Sequence, residues 1–113
     1  MFYRGTDEFN QIYWSAPEYQ LLDNEKAEDN KKDNHLAGSV YDLLAAPKDA
    51  AHPAGQWNQT RIIAKGPHVE HWLNGVRVVA FEAEPSEVRE SPISLQNHAS
   101  EVWFRNLRIR HLQ

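Results

Sequence analysis

The feature that most constrains the fold of this chain is an Asn-Gly pair, Asn74-Gly75, between two segments rich in β-forming residues. The segments are residues 68–73 and 76–81. A two-residue type I′ turn needs a positive φ angle at both central positions, and Asn followed by Gly meets that need at little cost. The pair therefore predicts an antiparallel β-hairpin.

Five further segments have strand-like patterns, either partial polar–apolar alternation or enrichment in β-branched and aromatic residues. They are residues 17–23, 38–44, 57–65, 93–98 and 101–111. Residues 23–34 have almost no apolar side chains, which predicts a solvated loop. Residues 45–55 contain two prolines, which argue against a central strand, so a second loop is predicted there. No segment shows a sustained helical stripe. The pattern predicts an all-β fold, a sandwich or jelly roll rather than a barrel, although alternation alone does not separate these architectures.

Length and composition exclude several classes of protein. A chain of 113 residues has room for one domain, residues 1–113, with one modest core. A formal net charge of -4 provides no broad positive field for a nucleic acid backbone. There is no cysteine, and no apolar run approaches the roughly 20 residues that a membrane span requires. The first residues, MFYRG, lack the basic head and apolar run of a secretory signal. We expect a soluble domain without a nucleic acid or membrane partner.

Three of the predicted strands carry polar side chains where a core would require apolar ones: Glu18 with Gln20, Arg61 beside Trp57, and Gln96 with His98. If these strands share a sheet, the polar faces form a pocket floor that can hydrogen-bond a sugar while a Trp ring packs on it. Glu18 could remove or relay a proton, Arg61 could stabilise an oxyanion, and His98 could donate or accept a proton. The alternative is a solvated outer sheet face with a surface salt bridge. His68 and His71 lie on opposite faces of their strand, so one metal ion cannot bind both.

Six motifs in chain order resemble those of the 3-keto-disaccharide hydrolase family and span nearly the whole chain. They are PEYQLLDN (residues 17–24), HLAGSVYDL (35–43), GQWNQTRI (55–62), HVEHWLNGV (68–76), ISLQNH (93–98) and EVWFRNLRI (101–109). The resemblance implies a concanavalin-A-like antiparallel jelly-roll sandwich and a protein that is typically periplasmic or extracellular in bacteria. It implies an oxidised sugar or oligosaccharide as substrate.

The resemblance also implies a reaction. A 3-ketone acidifies the neighbouring C2 proton, so a base can form an enolate that expels the leaving group at C1; water then adds, or an unsaturated keto-sugar is released. This differs from ordinary glycosidases, which use two carboxylates. By resemblance the catalytic residues are Glu18 or His98 as base and Arg61 as oxyanion stabiliser. A divalent cation held by Glu18 and a histidine is the alternative electrophile. The substrate-binding residues implied are Gln20, Tyr41, Trp57, His71 and Gln96.

The chain departs from the family pattern in two places. It begins well after the usual start of the family domain, and it is shorter between Glu82 and Pro92. We therefore expect the C-terminal majority of the domain. Missing edge strands expose unpaired backbone, so a homo-oligomer is expected. A non-catalytic carbohydrate-binding module, or a structural module that forms oligomers, is the alternative function.

Overall fold

A three-stranded antiparallel sheet is the main regular element of the chain. The computed structural model describes residues 1–6, 8, 10–12 and 15–112. The strands are β1 (Thr60–Lys65), β2 (His68–Leu73) and β3 (Val76–Glu82), in the order β1-β2-β3. Within these described residues, short 3-10 helices lie at Asp33–His35, Lys48–Ala50 and Pro85–Glu87. The all-β prediction is confirmed for this part of the chain, which contains no helix long and apolar enough to cross a membrane.

The predicted hairpin is confirmed. Asn74 and Gly75 have φ angles of 50° and 80°, and Leu73 pairs with Val76 directly beside the turn. The Asn74 side chain also holds two earlier segments of the chain. Its Oδ1 accepts a hydrogen bond from the Gln59 backbone N–H at 2.8 Å, and its Nδ2 donates to the Ala50 carbonyl at 2.9 Å. The turn therefore joins the hairpin to the segment that leads into β1.

A second layer, which we call the bridge layer, consists of short segments that pair through single residues. The antiparallel bridges are Phe2 with Glu18, Phe2 with Ser94, Tyr19 with Val40, and Val40 with Leu44. The predicted strands at residues 17–23, 38–44 and 93–98 are therefore reduced to isolated bridges. A strand longer than this requires a neighbour that continues the ladder on at least one side.

The core lies between the bridge layer and the sheet. Tyr3, Tyr19 and Val69 form one buried cluster, on which Ile62 and Ala64 of β1 pack. The fully buried Tyr19 also donates a hydrogen bond from its hydroxyl to the Trp72 carbonyl at 2.8 Å. This contact holds the bridge layer on β2.

The prediction of a strand at residues 101–111 was wrong. These residues form no strand, and Asn106 has a φ angle of 54°, which interrupts an extended backbone. The segment has the composition of a strand, but strands are stabilised by pairing, and no described residue pairs with it. The described residues thus contain one three-stranded antiparallel sheet and a set of isolated bridges, and the predicted jelly-roll sandwich stays a prediction.

Candidate functional site

The bridge layer presents its polar face away from the sheet, and Glu18 lies on that face. Side chains alternate along an extended segment, so the burial of Tyr19 against the sheet directs Glu18 to the opposite side. The Tyr41 backbone N–H donates to the Glu18 carbonyl at 3.0 Å, which places these two residues opposite each other. The sequence pattern predicted that Glu18 and Gln20 share a face, but the direction of that face and the pairing with Tyr41 follow from the fold.

Glu18 is a half-buried carboxyl among several charged groups. Burial is the largest effect and raises the pKa of Glu18 above its ordinary value; the Met1 ammonium and His98 oppose that rise, and Asp29 adds to it. A carboxylate with a raised pKa holds a proton more strongly and is therefore a better general base when ionised. His98, the other residue predicted as a base, is thus near enough to act on the charge of Glu18.

Beside Glu18 lies a hydrogen-bonded network around His35, which is 7% exposed. Its Nδ1 lies 2.8 Å from Asp29 Oδ1, and its Nε2 lies 2.7 Å from Asp42 Oδ1. Carboxylates only accept hydrogen bonds, so both ring nitrogens must carry protons and His35 is an imidazolium. The hydrogen bond to Asp42, and next the one to Asp29, raise the pKa of His35.

Tyr41 closes this network. Its ring stacks on His35 with centroids 4.2 Å apart, and its hydroxyl donates to Asp29 Oδ2 at 2.7 Å. That hydrogen bond lowers the pKa of Asp29 and raises the pKa of Tyr41. We call Glu18, Asp29, His35, Tyr41, Asp42 and His98 the Glu18 cluster.

Sequence reasoning missed Asp29, His35 and Asp42 as members of this cluster. His35 and Asp42 stand in the second family-like motif, which was the one available signal. Asp29 lies in the polar stretch predicted as a solvated loop. Only the turns that fold this stretch back bring Asp29 to His35.

We expect Asp42→Asn to lower the pKa of His35, because the largest of the effects that raise it is removed. A raised pKa stabilises the fold below the ordinary histidine pKa of 6.5, and this contribution disappears as the pH rises through the raised value. An NMR titration of the His35 ring measures the shift. Asp42 has a φ angle of 65°, which Asn tolerates, so the backbone is preserved.

The matched control for this titration is Asp49→Asn, which removes an exposed carboxylate in the Lys48–Ala50 helix. An unchanged His35 titration in Asp42→Asn would contradict the hydrogen-bond assignment.

Arg61 lies on the face of β1 that points away from the core. Its β1 neighbours Ile62 and Ala64 pack on the core, whereas Arg61 is exposed, so alternation directs it away from the bridge layer. Trp57 is 44% exposed, and the Arg105 guanidinium lies 3.8 Å from its ring centroid. The structure does not bring Arg61 together with Glu18, so the predicted oxyanion role for Arg61 has no geometric support.

His71 is fully buried between the two layers. Its Nδ1 lies 2.8 Å from the Gly38 carbonyl, and its Nε2 lies 2.7 Å from the Tyr3 hydroxyl. The carbonyl can only accept, so Nδ1 carries the proton and Nε2 accepts from Tyr3. Burial lowers the pKa of His71 to about 4. Neither nitrogen is left for a sugar hydroxyl, and His71 has a structural position.

Gln20, Gln96 and His98 are the predicted site residues whose positions remain to be described. Gln20 shares the face of Glu18 by alternation but is 8% exposed. Gln96 is half-buried and His98 is exposed, both just after the Phe2–Ser94 bridge. His68 and His71 do lie on opposite faces of β2, as the pattern predicted. Glu18, Tyr41 and His98 are thus the predicted site residues that the fold gathers.

A cation site has no clear ligand set here. Among residues 1–6, 8, 10–12 and 15–112, no group of three or more His, Asp or Glu side chains is arranged to hold a metal ion. His35 uses both nitrogens on carboxylates, which leaves it no lone pair for a metal. The arrangement supports acid–base chemistry by Glu18 and its neighbours.

The sequence of this chain is similar to a known protein family and to a curated protein. Residues 1–110 match the family model of a 3-keto-alpha-glucoside-1,2-lyase-like domain. A curated 3-keto-disaccharide hydrolase from Bacteroides thetaiotaomicron is 32% identical over 139 residues, which cover 96% of this chain and 48% of that protein.

Two solved structures from Parabacteroides distasonis are also similar, and both are of candidate glycosyl hydrolases. One aligns with a TM-score of 0.62 and 28% identity over 72% of this chain and 40% of that one. The other aligns with a TM-score of 0.57 and 24% identity over 72% of this chain and 46% of that one, and it supports the fold alone. The chain spans less than half the length of each of these three proteins.

Proposed function

Because the chain belongs to the family of 3-keto-alpha-glucoside-1,2-lyase-like domains, we propose that it cleaves the glycosidic bond of 3-keto-glycosides. The observation that carries this proposal is the half-buried Glu18 carboxyl with its raised pKa beside His98. A carboxyl of this kind is suited to removing a weakly acidic C–H proton.

The proposed reaction is a β-elimination. Glu18 removes the C2 proton, and the C–H electron pair forms the enolate of the 3-ketone. The enolate re-forms the ketone, a C1–C2 double bond forms, and the C1–O bond breaks with its electron pair on the leaving oxygen. Water can then add, its oxygen to C1 and a proton to C2, which completes hydrolysis.

We assign the second proton transfer to His98. The leaving oxygen needs a proton, and an exposed imidazole beside the base can supply it. Arg61 is exposed on the face of β1 that points away from the core, and the proposed step does not use it. Burial remains the largest effect on the pKa of Glu18, and the His35 imidazolium acts against the rise that it causes.

The network around His35 supports the proposal by fixing Tyr41. Asp29 accepts from the Tyr41 hydroxyl, and the His35 ring stacks on the Tyr41 ring, so the phenol cannot rotate freely. Tyr41 borders Glu18 through the backbone hydrogen bond between the two segments. A fixed aromatic ring beside the base offers a surface on which a sugar can be oriented.

Incubation with a 3-keto-disaccharide tests this function directly. We expect cleavage of the keto-sugar and none of the unoxidised disaccharide, because only the ketone acidifies the C2 proton. Product analysis by mass spectrometry distinguishes an unsaturated keto-sugar from a hydrolysed one. Parallel reactions with a chelator determine whether the cation alternative contributes.

Two results would contradict the proposal. One is equal cleavage of the oxidised and unoxidised sugars. The other is saturable binding of the keto-sugar without product, which would instead support the non-catalytic carbohydrate-binding module.

A further inference from the structure

The backbone N–H and C=O groups of the C-terminal segment, residues 101–111, are not paired with a strand of the described chain. Among the described residues, no main-chain hydrogen bond joins residues 95–112 to another part of the chain. Its composition is nevertheless that of a strand, with Val, Trp, Phe, Leu and Ile between charged residues. An unpaired segment of this kind is a template for pairing with another strand.

The C-terminal segment also exposes large apolar side chains. Trp103 is 70% exposed, Leu107 is 67% exposed and Ile109 is 85% exposed. When the backbone at Asn106 is extended, these odd-numbered residues lie on one side of the strand, with Arg105 between them. Exposed apolar side chains of this size indicate a contact surface.

The sequence of the C-terminal segment is complementary to itself. In an antiparallel twofold pair centred on Asn106, Glu101 lies opposite His111, Trp103 opposite Ile109, and Phe104 opposite Arg108. The pair of Trp103 and Ile109 is apolar and the pair of Phe104 and Arg108 is a cation–π pair, and pairs of both kinds stabilise a sheet. A register centred on Arg105 would instead place two guanidinium groups opposite each other.

Asn106 controls whether the segment can pair. Its φ angle of 54° bends the backbone, and a strand needs an extended conformation at this position. Asn is one of the few residues that adopt this left-handed conformation at low cost and can also leave it.

We propose that two copies of this chain associate by antiparallel pairing of their C-terminal segments around Asn106. Pairing straightens the backbone at Asn106 and forms main-chain hydrogen bonds between the copies. It also brings Trp103 of each copy onto Ile109 of the other. The inference does not depend on the catalytic proposal. Of the Glu18 cluster, only His98 is close to the segment in sequence, and the proposed pairing does not involve it.

Sedimentation equilibrium over a range of protein concentrations tests this interface. We expect a concentration-dependent monomer–dimer equilibrium, with amides of the C-terminal segment protected from hydrogen exchange only at high protein concentration. A protein that stays monomeric up to its solubility limit overturns the proposal.

Two leucines with nearly equal exposure provide a matched pair of variants. Leu107→Lys places a cation opposite Arg105 of the other copy, and this pair occurs twice, so we expect roughly tenfold weaker dimerisation. Leu43→Lys changes a leucine that is 71% exposed outside the segment and should leave the dimer unchanged. Equal effects of the two substitutions would show that the copies associate elsewhere and would overturn the proposal.

Two variants at Asn106 test the role of the backbone at this position. Asn106→Thr disfavours the left-handed conformation and places two threonines opposite each other, so it should strengthen the dimer several-fold. Asn106→Gly favours the bend and should weaken it. The opposite order of affinities would contradict the proposed straightening.

Discussion

Glu18→Gln is expected to lower the rate of 3-keto-disaccharide cleavage by roughly 10²- to 10⁴-fold, the usual contribution of a general base. Gln has nearly the same shape as Glu and cannot accept the C2 proton. The measurement is kcat/KM for the keto-sugar, with thermal unfolding as a check on the fold. Glu28→Gln, which changes an exposed carboxylate of the 23–34 stretch, is the matched control.

The pH dependence of this variant pair gives an independent test. Because burial raises the pKa of Glu18, the ionised base appears at a higher pH than an ordinary glutamate would. In the wild-type chain kcat/KM should rise with pH through this raised pKa, and the residual activity of Glu18→Gln should lack that rise. A raised carboxyl pKa also means that ionised Glu18 destabilises the fold at neutral pH, so the variant should be at least as stable.

An unchanged rate in Glu18→Gln would exclude Glu18 as the base and leave His98 as the remaining predicted one. Loss of activity together with loss of the folded state would require a second variant. Glu18→Asp serves that purpose, because it keeps the carboxylate and moves it by one methylene.

The free energy of unfolding is expected to fall by about 3 kcal/mol between pH 6.5 and pH 4 through His71 alone. The folded chain holds His71 neutral because burial lowers its pKa to about 4, whereas the unfolded chain protonates it near the ordinary value of 6.5. The unfolded state therefore binds more protons over this interval, so stability is full above pH 6.5 and decreases as the pH falls. Urea unfolding at a series of pH values measures the decrease.

His71→Phe isolates this contribution. The variant loses the titrating group, so its stability should vary less over this pH interval than that of the wild-type chain. At pH 7 it should be less stable by about 2–4 kcal/mol, because the Tyr3 hydroxyl and the Gly38 carbonyl lose their buried partner. His111→Phe, at an exposed position, is the control. Parallel pH curves for His71→Phe and the wild-type chain would contradict the neutral buried assignment.

The hairpin turn and the alternation of β2 show which parts of the fold were predictable. Asn74-Gly75 encodes its own turn through the φ angles that these two residues tolerate, so no distant contact is needed. The alternation of β2 likewise predicted that His68 and His71 lie on opposite faces, and they do. Alternation does not state which face is buried. That choice was made by Tyr3 and Tyr19, which pack on His71 from a distant part of the chain.

The candidate site was predictable only in part for the same reason. Sequence reasoning identified Glu18, Tyr41 and His98, because motifs and alternation mark polar residues in strand-like segments. It also included Arg61, and it missed the Asp29–His35–Asp42 network. Whether two polar faces meet depends on the layer in which each segment lies, and that information is not contained in the local pattern.

By itself the sequence determined the β class, the hairpin and the family, since each of these depends on local conformational preference or on ordered motifs. The tertiary structure alone decided which histidine is buried, which charges surround Glu18 and which segment stays unpaired. These properties depend on contacts between residues far apart in the chain, such as Tyr3 with His71 and Met1 with Tyr19. Burial and pairing, which shift pKa values and stabilise strands, exist only after those contacts have formed.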